Sequence, residues 1–206
     1  MKKRRVIVSA IVAFAIAAGI VCAQDNAADA KRLIEALQVR PGSVVAEIGA
    51  GGGELTIALA RHVGPDGKIF TSELGENRVS QLRSAVEKSG VSNVQVLEGH
   101  ETRANLPEGC CDAIFMRSVY HHFSDPPAMN ASFFQALKPG GRIAVIDFAP
   151  PEDTAAPGKR GEDGAHGVSA EVVAGELKAA GFEVISTEQG EGRNRMVTVV
   201  AARPEK

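Results

Sequence analysis

The 206-residue chain has no tryptophan and a single tyrosine, so it lacks the aromatic platforms on which bases and sugars stack. Its three cysteines, two of them adjacent, are too few to build a disulfide scaffold. A broad basic surface is missing as well. The formal charge is −2, and taking away the four positive charges of Lys2, Lys3, Arg4 and Arg5 leaves −6 for the remainder. A body of that sign repels phosphate backbones, which removes nucleic acid from the expected partners. What is present is 44% hydrophobic and 23% charged residues, the balance of a folded globular protein. The length suits one domain.

The basic Met1–Arg5 is followed by an apolar run, Val6–Val21, and then by Val21-Cys22-Ala23 ahead of the polar Gln24-Asp25-Asn26. These are the parts of a secretory signal, with cleavage expected after Ala23 and residues 24–206 left as the folded domain. Kept uncleaved, residues 6–23 would be a membrane anchor, since a span needs roughly 20 apolar residues. Lipidation at Cys22 is disfavoured by the bulky Val21 before it. In both cases the positive-inside rule sends the body out of the cytoplasm, exported and touching membrane only through its N-terminal segment. A monomer is expected. Cys110 and Cys111 are poorly spaced for bridging each other and are read as two small residues at the mouth of a strand. No histidine-rich spacing near them points to a metal, and none is expected.

Downstream, helical and extended patterns alternate, which predicts an α/β fold with a mainly parallel sheet. Helices are expected at Ala28–Leu37, Glu54–His62, Glu76–Lys88, from Pro126 behind the N-cap Asp125 to Leu137, and at Ser169–Ala180. Strands are expected at Val44–Ile48, Lys68–Glu73, Val94–Leu97, Cys111–Val119 and Arg142–Phe148. Phe182–Glu188 and Met196–Ala202, around Gly190-Glu191-Gly192, suit a terminal antiparallel hairpin. Ala149–Gly167 is dense in proline, glycine and charge and reads as a loop or short lid, with little chain for an elaborate substrate chamber.

The chemistry concentrates in Glu47-Ile48-Gly49-Ala50-Gly51-Gly52-Gly53, between a strand and a helix, where glycines let backbone approach a ligand and turn into a helix N-terminus. A dinucleotide fingerprint needs its third glycine three places after its second, and that place holds Glu54. An acid there would face a pyrophosphate, which argues against a nicotinamide-dependent reductase. Twenty residues past Gly53, Glu73 closes the second strand, where a carboxylate can accept both hydroxyls of a ribose.

The run Val44–Gly53, Glu73, Asp112–Phe123 and Leu137-Lys138-Pro139-Gly140-Gly141 resembles the class I S-adenosylmethionine-dependent methyltransferases, closest to the small-molecule branch with the quinone and sterol enzymes. The likeness spans about Leu33 to Ala202. It implies a Rossmann-like, seven-stranded, mainly parallel sheet with an antiparallel last strand and helices on both faces. It also implies S-adenosyl-L-methionine as cofactor and a small-molecule or lipid-like methyl acceptor. On the same likeness, the glycine loop with Glu47, Gly49, Ala50, Gly51 and Gly53 holds the methionine part, Glu73 holds the ribose, and Leu74, His100, Glu101 and Arg117 are further cofactor-binding residues. The third strand of such enzymes ends Gly-Asp, whereas this chain has Gly99-His100; Glu101 next to it can take over the contact to adenine, or a backbone carbonyl can suffice. A non-catalytic binding protein that keeps the fold is therefore the alternative to an enzyme. His121 and His122, in Ser118–Phe123, are the candidate catalytic bases, weighed against a packing role because alignment can supply much of a methyl transfer. His166 and Asp147 are further pocket candidates, set against a surface histidine and a turn-capping acid.

Overall fold

The computed structural model describes residues 26–151, 153–162, 165–190 and 195–205. The segment read as an export signal lies outside them, as does most of the Gly190-Glu191-Gly192 turn. Among the described residues, no helix is long and apolar enough to cross a membrane.

A first helix, α1 (residues 26–36), leads into β1 (Val44–Ile48), α2 (Glu54–Val63), β2 (Lys68–Glu73), α3 (Glu76–Ser89), β3 (Val94–Glu98) and β4 (Cys111–Arg117). A single 3₁₀ turn, Tyr120–His122, precedes α4 (Pro126–Ala136), β5 (Leu137–Phe148), α5 (Ala170–Ala179), β6 (Glu183–Gln189) and β7 (Met196–Ala202). The seven strands run in the order β3-β2-β1-β4-β5-β7-β6, and only β7 is antiparallel to its neighbours. Chain order reverses between β1 and β4, where a crevice opens at the carboxyl ends of the strands.

Burial follows the two-residue period of the strands. Ala46, Ile48, Ile114, Met116, Ile143 and Val145 face α4 and α5 through Met129, Phe133, Val173 and Leu177. Their sequence neighbours Val45, Ala113, Phe115, Ala144 and Ile146 face α1 and α2 through Leu33, Leu55 and Leu59. Central strands covered on both faces must be apolar throughout, which is why β4 and β5 read as continuous hydrophobic runs. Truncating a side chain as buried as Phe115 (0% exposed) is worth about 3–5 kcal/mol.

Local signals set the element ends. Asp125 caps α4 by accepting from the Ala128 N–H at 3.0 Å, and Ser169 caps α5 by accepting from Val172 at 3.4 Å. Gly90, at φ 73°, stops α3 in the left-handed conformation. Asp112 ties the lower ends of the strands, accepting from the Val44 N–H at 2.7 Å and from Lys138 Nζ at 2.7 Å.

Three expectations need correction. β4 ends at Arg117 rather than Val119, because Ser118 takes φ 56° and throws the chain into the 3₁₀ turn. β5 starts at Leu137 rather than Arg142, so Lys138-Pro139-Gly140-Gly141 is its first part: Cys111 pairs with Leu137, then a register shift absorbs the extra residues before Ala113 meets Arg142. Cys110 and Cys111 form a vicinal disulfide at the mouth of β4. The usual Cα spacing describes bridges between separate segments; adjacent residues sit 3.8 Å apart and close a small ring instead.

Candidate active site

The crevice at the sheet's switch point is a cavity of about 650 Å³, within the range of small-molecule and cofactor sites. Four strand ends meet there. Gly49 and Gly51 come from the loop after β1, Glu73 and Leu74 from the end of β2, His100 and Glu101 from the loop after β3, and Arg117 with His122 from the end of β4 and its 3₁₀ turn. Seven of the ten residues expected to hold the cofactor therefore line one cavity.

The remaining three do not line it. Glu47 lies beneath the loop, 3% exposed, accepting from the Thr56 hydroxyl, which in turn lies 2.8 Å from Thr71 Oγ1. Burial pushes the Glu47 carboxyl up to about 8, against the lowering effects of the Thr56 hydrogen bonds and the Arg117 charge. Ala50 is buried and turned toward α3, where it packs with Leu82 and Val86. Gly53 closes the loop at φ 84°, and a Cβ there would stand 2.8 Å from Leu82 Cδ1.

Two glycines are required for different reasons. Gly49, at φ 70°, would place a Cβ 2.4 Å from Val119 Cγ2, so its absent side chain lets the β1 loop pass the β4 loop. Gly51, at φ 56°, has open space where a Cβ would be, which keeps its backbone accessible from the cavity side. Glu73 braces this loop: Oε1 accepts from the Gly51 N–H at 3.0 Å, and Oε2 from the Leu74 N–H at 2.8 Å. Arg117 donates to Asp29 of α1 at 2.8 Å, closing the cavity's other flank. His100 stands 3.3 Å from Arg103 Nη2, at the end where an acid was expected.

The two candidate bases are not equivalent. His122 lines the cavity, and its basicity is lowered by burial first and then by the neighbouring His121 and His166. His121 is 2% exposed and stands behind it, with Nδ1 2.8 Å from Asp147 Oδ1 and its backbone N–H donating to Asp147 Oδ2 at 3.2 Å. Asp147, fully buried, thus does more than cap its turn, although it also accepts from Phe148 N–H at 2.9 Å.

The sequence reading missed the anchor of the lid. Arg160 is 3% exposed and grips Glu176 of α5 with both terminal nitrogens, at 2.6 and 3.2 Å. The Tyr120 hydroxyl donates to the same carboxylate at 2.9 Å and accepts from Asn130 Nδ2 at 2.7 Å. An arginine in a run of Pro, Gly and charge looks solvated; its partner is a helix residue sixteen positions on, and spacing gave no sign of it.

The sequence and fold have known counterparts. Residues 45–141 match the family described as a methyltransferase domain. The ubiquinone/menaquinone biosynthesis C-methyltransferase of Marinomonas sp. is 30% identical over 115 residues, which are 55% of this chain and 46% of that protein. The chain thus spans about half the length of the curated relatives it matches. Among solved structures, an S-adenosylmethionine-dependent methyltransferase from Aquifex aeolicus superposes with a TM-score of 0.71 at 26% identity, over 84% of this chain and 89% of that one. The phosphoethanolamine N-methyltransferase 2 of Haemonchus contortus, solved with S-adenosyl-L-methionine bound, shares the fold: TM-score 0.70, 14% identity, 85% of this chain and 52% of that one. The architecture is that of the S-adenosylmethionine-dependent methyltransferases.

Proposed function

We propose that this chain is an S-adenosylmethionine-dependent methyltransferase acting on a small or lipid-like acceptor. The observation that carries the reading is the convergence of the β1 glycine loop and Glu73 on one cavity at the switch point, in a fold shared with such enzymes. The residues fit the cofactor: Gly51 leaves open space on the side where a Cβ would stand, and the Glu73 carboxylate at the end of β2 has the acceptors that ribose hydroxyls need. The cofactor supplies a methyl group already activated on a sulfonium.

The protein's own work is then alignment. The β1 loop and Glu73 fix one end of the bound molecule, Arg117 limits its flank, and His100 and Glu101 border the adenine end. His122, with Phe123 and Ser124 beside it, meets the acceptor side of the same cavity. There its imidazole takes a proton from an acceptor oxygen, nitrogen or acidic carbon as the acceptor is consumed. The likeness to quinone C-methyltransferases favours an aromatic or quinoid acceptor.

Calorimetry on the full chain tests this reading. One equivalent of S-adenosylmethionine should bind per chain, and Gly51→Asp should abolish binding by filling the loop and repelling the cofactor's carboxylate. Unchanged affinity in that variant overturns the site. Production of S-adenosylhomocysteine with phenolic or quinoid acceptors then separates an enzyme from a binding protein that only keeps the fold, a reading for which His100 is the motive.

A further inference from the structure

Behind the cavity, the adjacent His121 and His122 of the 3₁₀ turn meet His166, 45 residues from His121. One ring nitrogen each from His121, His122 and His166 lies within 4.8 Å of the others. His121 is buried, while His122 and His166 are exposed and reachable from solvent. We propose that His121, His122 and His166 form a zinc site, with Asp147 orienting His121 from behind.

The tautomer of His121 supports the assignment. Asp147 accepts from two backbone N–H groups, of His121 and Phe148, and has only acceptor oxygens to offer His121 Nδ1. The proton of the neutral ring therefore sits on Nδ1, and the Nε2 lone pair points into the cluster. His166 Nε2 stands 2.9 Å from that lone pair and donates to it in the metal-free protein. When zinc binds, the His166 proton moves to Nδ1 of the same ring, and the metal takes its place between the two Nε2 atoms. Two nitrogens on a tetrahedral zinc, at about 2.0–2.1 Å from the metal, lie roughly 3.3 Å apart, so the pair needs to open only slightly. A ligating histidine whose other nitrogen donates to a buried carboxylate is the usual outer-shell arrangement of such sites.

The rest of the fold holds this cluster in place. The 3₁₀ turn fixes His121 and His122 together, with the Tyr120 hydroxyl on Glu176. The same Glu176 clamps Arg160 of the lid, and the Arg160 carbonyl accepts from the N–H of Gly167, next to His166. Through that hydrogen bond, Gly167 next to His166 is tied to Arg160 and so to the core. Three imidazoles without carboxylate or thiolate ligands select a borderline transition metal and discriminate against calcium and magnesium, which require oxygen. Three protein ligands leave one position open, which His122 puts at the acceptor side of the cavity; zinc occupies the His122 nitrogen that otherwise takes a proton, so the ring serves as a base only while the metal is absent.

The site is made of side chains alone and stands whether or not the cofactor reading holds. The test is calorimetric titration of the chelator-stripped full chain with zinc chloride, with metal content read by mass spectrometry, and S-adenosylmethionine titrated in parallel. One zinc per chain at micromolar affinity or better is expected, with no heat from calcium or magnesium. His166→Ala, on an exposed residue, should keep the circular dichroism spectrum and weaken zinc at least 100-fold. Asp147→Asn should weaken it 10- to 100-fold. No zinc binding below 100 µM, or unchanged affinity in His166→Ala, overturns the site. Zinc bound without S-adenosylmethionine overturns the functional reading and leaves the metal site standing; the reverse does the opposite.

Discussion

Glu47→Gln is expected to stabilise the protein increasingly as pH rises. The carboxyl is 3% exposed, and burial lifts it from an ordinary 4.5 to about 8. Glu54 pushes in the same direction as burial, while Thr56 and Arg117 pull against it. Between pH 4.5 and 8 the folded chain therefore keeps a proton here that the unfolded chain releases. The folded state binds more protons, so this group's contribution to stability is full below 4.5 and is lost as pH climbs toward 8. At about 1.4 kcal/mol per tenfold change in proton affinity, the separation amounts to on the order of 5 kcal/mol, an upper limit once the site relaxes or admits water. Glutamine keeps the shape and an acceptor for the Thr56 hydroxyl but carries no charge at any pH. Urea unfolding of both proteins at pH 5, 7 and 9 provides the measurement, because every other titrating group is common to the pair. The two should nearly coincide at pH 5, and the variant should lead by a few kcal/mol at pH 9. Parallel stability curves across that range would refute the assignment of a buried, protonated Glu47.

Two further substitutions probe the cavity walls. Gly49→Ala meets both φ 70° and Val119 Cγ2 at 2.4 Å, so thermal or urea unfolding should show a loss of about 2–4 kcal/mol; a loss under 1 kcal/mol would mean the β1 and β4 loops are not in contact. Glu73→Ala should weaken S-adenosylmethionine by about 1–3 kcal/mol through lost charge-assisted hydrogen bonds, with little effect on a ribose-free analogue. Because Glu73 also braces Gly51 and Leu74, an equal loss for both ligands in calorimetry would assign it to the loop instead of the sugar.

The order of strands and helices was legible in the chain because each element carries its own local signal. A parallel strand covered on both faces is a short apolar run, as in Val44–Ile48, and Asp125-Pro126 or Gly90 marks a helix end without reference to anything distant. The glycine loop and Glu73 were legible for the same reason, since a strand-loop-helix unit keeps its parts within some twenty residues. Everything that depends on partners far along the chain needed the tertiary structure. Ser118 breaks β4 in the left-handed region, and β5 reaches back through a proline and two glycines that resemble a turn. The pairing of Asp147 with His121, the clamp of Arg160 on Glu176 and the arrival of His166 beside His121 span 26, 16 and 45 residues. Sequence periodicity reports which face of an element is apolar; it carries no information on which two elements meet at a strand end. Short-range steric and solvation rules wrote the scaffold into the chain, while the chemistry of the histidine cluster exists only once the sheet and the lid's anchor bring the 3₁₀ turn, the end of β5 and the lid to one point.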